Sequence, residues 1–534
     1  MKIKLIRPKA EVSFQHTNFY FFPSKPCMFF AAPLSIATIA ALTPKEDCVE
    51  ISDEYIEEIN FEEPVDLVGI SVFNMFVSSR AYKIASAYRQ RKVKVVFGGL
   101  HTSLFPEECL EYADAIVIGE AEDLWGKVIA DFKKGQLKKV YSCKKRPDLK
   151  NRPMPRWDLV NLQAYTAITL MATRGCPNQC EFCIAKFHLG NKPRHKPVNE
   201  IVEEINEIKR LYGRQPYLWF ADYNFTTDKK YAKELMRSLI PLGIKYACIT
   251  SMDIYKDTEI LELLVRSGCN NVAIGLESND YRNIAYLKKD KVNNVNEYAE
   301  AIKKIQSYGL QVLSTLMIGN EYDNERTFKD LESFVEENDI ITPFIFPAGI
   351  LPCTPLHRNL KNKKEVKQSE FDLHHYSLIR SAFMDTPEFW IYYTRMFYSI
   401  YSYKSVFKRL IRFIIKQRRY SKCVRYNRYA GYFSFRNAYQ ILKRLPRAIK
   451  VGMLTRNVWS IGLALISEFH LNYAAWQQVS CSKIFLKAYS NLMLDKCSRD
   501  RAVCLRGSPL LRLVRKLSNE STKQLIVEKD AKKI

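Results

Sequence analysis

No apolar run in this 534-residue sequence reaches the ~18 residues that a membrane-crossing helix requires. The stretch Trp459–Ile466 (WSIGLALI) is far shorter and has the length of a core segment. Internal repeats and low-complexity tracts are missing too, so neither a solenoid nor a disordered chain is expected. MKIKLIRPKA has no secretory pattern, and the 14 cysteines are scattered through a large chain, so a reducing cytoplasm is the expected location. What is present is a globular composition, 47% hydrophobic and 13% aromatic, in a chain too long for one core; about three domains are expected.

Acidic residues are the next absence: there is none from Phe389 to Ser467. The chain carries +25 overall, yet residues 361–534 hold 35 Lys and Arg against 11 Asp and Glu, while residues 1–360 hold 47 against 46. The excess is therefore almost wholly C-terminal. An apolar stripe through Val406, Phe407, Leu410, Ile411 and Phe413–Ile415 is bordered by Lys404, Lys408, Arg409, Arg412, Lys416, Arg418 and Arg419. Such a segment suits an anionic bilayer surface, where each base contributes about 1 kcal/mol. Phosphate neutralisation on nucleic acid, less favoured here, and a solvated basic face over a packed helical domain are the alternatives.

Cysteine becomes informative at one place. MATRGCPNQCEFCIAKF sets Cys176, Cys180 and Cys183 in a Cys-x3-Cys-x2-Cys spacing. Structural zinc takes four protein ligands, usually as two pairs, and no second cysteine pair follows within the next sixty residues. Three thiolates on a Gly/Pro loop directly after the apolar run Ala167–Met171 fit an iron–sulfur cluster with one open iron. A zinc knuckle and a chance grouping stay as the plainer readings.

Along the chain, short apolar runs alternate with helical patterns. Residues 1–145 offer strands at Ile3–Ile6, Val49–Ile51, Leu67–Val72, Val93–Phe97 and Ala115–Ile118, predicting a doubly wound, Rossmann-like parallel sheet with its ligands at the carboxyl ends. Residues 146–160, opening with RPDLKNRPMPRW, have the composition of a linker. Residues 161–365 hold six strand-then-helix units whose strands begin at Ala167, Tyr217, Tyr246, Val272, Val312 and Thr342, predicting a partial (β/α)6 TIM-type barrel. Gly243, Gly268 and Gly309 stand where helix C-caps belong. Residues 366–534 form a basic, mostly helical region.

The cysteine run resembles the signature of the radical S-adenosylmethionine (SAM) enzymes. That resemblance implies a [4Fe-4S] cluster ligated by Cys176, Cys180 and Cys183, with an open iron that chelates the amino and carboxylate groups of SAM. One electron, from a donor such as flavodoxin or ferredoxin, then cleaves SAM to a 5′-deoxyadenosyl radical. PLSIATIAALTP, VDLVGISV, VVFGGLHTSLFPEE and ADAIVIGEAEDLW are together similar to the cobalamin-binding domain that precedes the barrel in one large class of these enzymes. Gly98, Gly99, His101 and Thr102 would then face the cobalamin; ordinary tight βα turns are the alternative. The Asp-x-His-x-x-Gly motif of other cobalamin proteins is absent from this segment, and Asp372-Leu-His374-His375-Tyr-Ser377 imitates it only in part and in another domain.

The same resemblance implies that Asp222, Ser251 and Glu277, at successive strand ends, hold SAM and that Phe182 packs near its adenine. Each polar residue could instead cap the helix that follows it. Arg174 would order the cluster loop, and Arg194 and Lys196 its exit. Cys353 stands where related enzymes have glycine, as a reactive thiol or a small buried residue. Cys481, Cys497 and Cys504 have long uneven gaps, which disfavour a second cluster there without excluding one. FDLHHYSLIRSAF and FYSIYSYKSVFKRLIRF resemble the tails of members that include hopanoid methylases, which implies methylation of an unactivated carbon of a small-molecule or lipid substrate. Cyclisation or rearrangement without cobalamin is the alternative within the family, and a basic nucleic-acid-binding protein with a structural cluster the alternative outside it.

Overall fold

The computed structural model describes residues 1–10, 31–143, 145–341, 343–362, 377–378 and 387–402, and a few positions between 405 and 413. Most of the basic C-terminal region, with Cys481, Cys497, Cys504, Asp372, His374 and His375, lies outside them.

The first sheet is built from β1 (Lys2–Arg7), β2 (Cys48–Asp53), β3 (Leu67–Ser71), β4 (Lys94–Gly98), β5 (Ala115–Ile118) and β6 (Val140–Ser142). Its spatial order is β2-β1-β3-β4-β5-β6 and every pairing is parallel. Residue alternation sends Ile6, Val68, Val95 and Ile116 to one face, beneath the helix Met75–Gln90. Ile3, Leu5, Leu67 and Val117 go to the other, beneath the helices Leu34–Ala41 and Trp125–Lys133. Helices on both faces are what a parallel sheet demands, since its crossovers must return over it. All five expected strands form; the short β6 adds an edge.

The second sheet contains β7 (Ile168–Leu170), β10 (Tyr217–Phe220), β11 (Lys245–Thr250), β12 (Cys269–Glu277), β13 (Gln311–Ile318) and β14 (Phe344–Pro347); the two-residue β8 (Thr173–Arg174) and β9 (Arg194–His195) form a small ribbon beside it. The order β7-β10-β11-β12-β13-β14 follows the sequence, all parallel. β7 and β14 do not pair, so the sheet is an open, curled half-barrel. Gly243, Gly268 and Gly309 all take positive φ after their helices, as C-caps require.

The segment read as a linker is packed and anchored. Trp157 is 1% exposed and donates Nε1–H to Glu204 Oε1 (2.9 Å), whose other oxygen takes Lys196 Nζ (2.5 Å). Tyr165 donates its hydroxyl to Asp53 Oδ2 at the end of β2 (2.6 Å), and Ala32 N–H donates to Ala167 O (3.0 Å). The Tyr165 and Ala32 contacts hold the half-barrel to the carboxyl end of the first sheet, since each broken one would strand a desolvated group.

Of the expected surface stripe, Arg409 is fully buried and pairs with Glu336 (2.7 Å), while Arg412 pairs with Asp339 (2.5 Å). These two cations are committed to the end of the helix Glu325–Glu337. Among the described residues, no helix is long and apolar enough to cross a membrane.

Candidate active site

The cluster loop leaves β8 and carries Cys176, buried, then Cys180 and Cys183, half-buried. Burial pushes all three thiols up, Cys180 to about 11, with Lys289 pulling it down and Cys183, Glu277 and Cys176 pushing it further. The three sulfurs and the Glu277–Lys289 pair thus lie within electrostatic reach of one another. Among the described residues no three His, Cys, Asp or Glu side chains converge as they would on a single ion. A cubane asks for less convergence, because each thiolate takes a different iron. The histidine nearest the triad in sequence, His188, is engaged elsewhere: its Nδ1 meets Tyr223 Oη at 2.7 Å. The donor set fits a three-cysteine cluster.

The loop is clasped on its barrel side through Glu181. Its main chain donates to Leu287 O (3.0 Å) and accepts from Leu356 N–H (2.9 Å), and its carboxylate takes Lys288 Nζ (2.5 Å). Phe182 turns into an apolar group of Leu287, Met317, Ala348 and Leu356, with Lys289 Nζ 5.9 Å from its ring centre.

The other predicted residues stand at the carboxyl ends of β10, β11 and β12. Asp222 is fully buried; its oxygens accept N–H groups from Ala172 (3.2 Å) and Thr173, at the entrance to the cluster loop, and burial pushes its carboxyl up to about 7 against them. It does not cap the next helix, a task that Asp228 performs. Ser251 accepts from Asn224 Nδ2 (3.1 Å) and donates to Asp253, which also meets Lys229 (3.3 Å).

Glu277 has φ +65° at a bulge in the β12–β13 ladder, and pairs with Lys289 Nζ (2.5 Å), which also donates to Gly275 O (2.9 Å). Gly275 leaves room for the pair: a Cβ there would overlap Glu277 Oε1 and lie 2.5 Å from Lys289 Nζ. Lys289 was not foreseen, since nothing in the helical or strand periodicity marks it. Cys353 sits exposed with φ +64°, a conformation natural to glycine, on the turn before the helix Pro355–Asn362.

In the first sheet, Gly98 ends β4, and a side chain there would meet nothing within 4 Å. Gly99 takes φ +115° with its Cα so close to β3 that a Cβ would sit 2.5 Å from Val72 O. His101 and Thr102 follow, both fully buried. His101 Nε2 meets Tyr82 Oη (3.1 Å), which donates to Glu108 (2.8 Å), whereas His101 Nδ1 has no hydrogen-bond partner. An open glycine backbone beside an orphaned buried nitrogen fits a cofactor seated on this edge. Leu100 and Leu104, on the same turn, pack against Ile184, the residue after Cys183. The two candidate cofactor loops therefore touch.

Fold and site together define an α/β protein in which the glycine-bearing edge of one parallel sheet meets the cysteine loop of a second. The description "Radical SAM superfamily" matches residues 170–335, and "B12 binding domain" matches residues 33–128. The chain thus carries a radical SAM domain behind a cobalamin-binding domain, and the cofactors these domains imply are a [4Fe-4S] cluster, SAM and cobalamin. It is 27% identical over 394 residues to a bacteriochlorophyllide d C-8(2)-methyltransferase of Chlorobaculum tepidum, covering 71% of this chain and 87% of the relative. It is likewise 27% identical over 345 residues to the hopanoid C-2 methylase of Rhodopseudomonas palustris, covering 62% and 65%. Among solved structures, the cobalamin-dependent radical enzyme OxsB with aqua-cobalamin bound shares the fold at TM-score 0.60 and 16% identity, over 94% of this chain and 82% of that one. The methyltransferase TsrM from Kitasatospora setae does so at TM-score 0.55 and 15% identity, over 68% and 76%.

Proposed function

We propose that the protein methylates an unactivated carbon of a large hydrophobic substrate. When bound, the cluster with SAM supplies hydrogen-atom abstraction, and cobalamin supplies the methyl group. The carrying observation is the contact between the cofactor loops, with Leu100 and Leu104 of one domain on Ile184 of the other. Two reagents that must reach one carbon within about 3–3.5 Å need their carriers side by side.

The chain's own residues have separable tasks in this reading. Cys176, Cys180 and Cys183 hold the cluster; Asp222 pins the main chain that enters the loop; Phe182, Glu277 and Ser251 face SAM; Gly98, Gly99, His101 and Thr102 seat cobalamin. Phe73, Tyr281 and Tyr322 are large aromatic side chains left exposed just beyond the carboxyl ends of β3, β12 and β13. They support a hydrophobic substrate at that face. Relatives named for bacteriochlorophyllide d and for hopanoid point the same way.

The test is anaerobic incubation of reconstituted protein with SAM and a reductant, where 5′-deoxyadenosine and S-adenosylhomocysteine are both expected. 5′-Deoxyadenosine alone would replace methylation with another radical reaction. Neither product would overturn the reading.

A further inference from the structure

Glu120 hangs from the carboxyl end of β5 in the first domain, 5% exposed, and meets three guanidinium groups. Arg146 Nη1 is 3.1 Å from Oε1, Arg174 Nη1 is 2.7 Å from Oε2, and Arg194 grips both oxygens, at 2.7 and 3.2 Å. Glu122 adds a second carboxylate on Arg174 (2.5 Å). Burial disfavours the charge on both Glu120 and Arg174, and the partners more than offset it: Glu120 stays below the usual carboxylate range and Arg174 above its own usual value.

Arg174 and Arg194 stand at the two ends of the cluster segment, and Arg146 reaches it from the stretch that precedes the half-barrel. Arg174 ends the strand from which the loop springs, two residues before Cys176. Arg146 donates to the carbonyls of Phe187 and His188 (both 2.7 Å), and Arg194 to those of Leu189 (3.1 Å) and Pro147 (2.6 Å). One carboxylate from the first domain therefore closes a ring around the whole segment 174–194. The same segment closes on itself through Cys176 N–H donating to Gly190 O (3.0 Å).

We propose that Glu120 is the positioning residue that keeps the cluster loop in register with the cobalamin-bearing edge, so that hydrogen abstraction and methyl delivery address the same carbon. It touches no reacting atom; it acts through Arg146, Arg174 and Arg194. The proposal rests on the methylation reading above, but part of its test does not.

Glu120→Gln keeps the side chain's shape and removes its charge, leaving three buried or half-buried guanidiniums against Glu122 alone. In the full-length protein without cofactors, amide exchange across 174–190 is expected to quicken by about a hundredfold. Arg194→Lys keeps the charge but loses the forked grip, and about tenfold is expected there. It decides the matter if Glu120→Gln does not fold. Arg210→Gln, which breaks an exposed pair with Glu207 on an outer helix, serves as control.

With the reconstituted holoprotein, the ratio of 5′-deoxyadenosine to S-adenosylhomocysteine is expected to rise about tenfold in Glu120→Gln, because abstraction continues while methyl delivery loses its geometry. Simple loss of folded enzyme would lower both products together and leave the ratio unchanged, which would overturn the proposal. Exchange in both variants within about twofold of the parent would also overturn it. Should the parent itself make neither product, the methylation reading fails while the exchange result still decides whether Glu120 holds the loop.

Discussion

Lys289→Met tests the electrostatic centre of the site without any cofactor. Lys289 and Glu277 are 12% and 7% exposed at the side chain and 2.5 Å apart. Burial works against the Lys289 charge and Glu277 outweighs it, leaving the ammonium above its usual pKa. Removing the lysine strands a carboxylate in a dry site on a residue already held at φ +65°. Breaking such a pair from one side costs about 3–5 kcal/mol. At about 2–4 °C per kcal/mol for a domain of this size, melting of the half-barrel is expected to fall by about 10 °C. Glu277→Gln should cost a similar amount by stranding the ammonium. The double substitution removes both charges and is expected to cost only about 1–2 kcal/mol, so the cycle should return a coupling of about 3 kcal/mol or more. Calorimetry on the four proteins decides it. A Lys289→Met shift under about 2 °C, or a double variant as unstable as the two singles combined, would refute the reasoning.

Three further outcomes are expected. Burial lowers the His188 pKa to about 4, so this imidazole stays neutral in the fold; its stability contribution is present above about 6.5 and is lost as pH falls towards 4. That window is worth about 3 kcal/mol, and His188→Gln should flatten the acid limb of a stability profile measured between pH 7 and 4. Gly275→Ala would crowd the tips of the Glu277–Lys289 pair, which can shift while staying paired, and is expected to lower melting by less than Lys289→Met, which calorimetry also reads. Changing Cys176, Cys180 and Cys183 together to Ala should abolish the iron–sulfur absorbance of anaerobically reconstituted protein; its persistence would remove the cluster assignment.

The architecture was readable where its signals are local. Each of the eleven expected strands forms, because short, mostly apolar runs of three to eight residues between turns and helical patterns leave few other solutions. Chain order and parallel pairing followed from helices between the strands. The short β6 and the ribbon of β8 and β9 were missed, being two or three residues long and without a pattern of their own. Residues 146–160 read as a linker from proline and charge, but Trp157 at their end is core. Arg409 and Arg412 read as part of an outward stripe, and Glu336 and Asp339 turn them inward.

What the amino-acid order determined by itself is the cysteine triad, which needs only eight consecutive residues, and the two sheets that present it. What only the tertiary structure decided is how that loop is held and what it faces. Glu120 lies 54 residues from Arg174 and 74 from Arg194, Asp222 lies 49 from Thr173, and Asp53 lies 112 from Tyr165. No periodicity links such positions. They meet because buried charges and main-chain donors must find partners once the chain has closed around them, and that requirement belongs to the folded molecule.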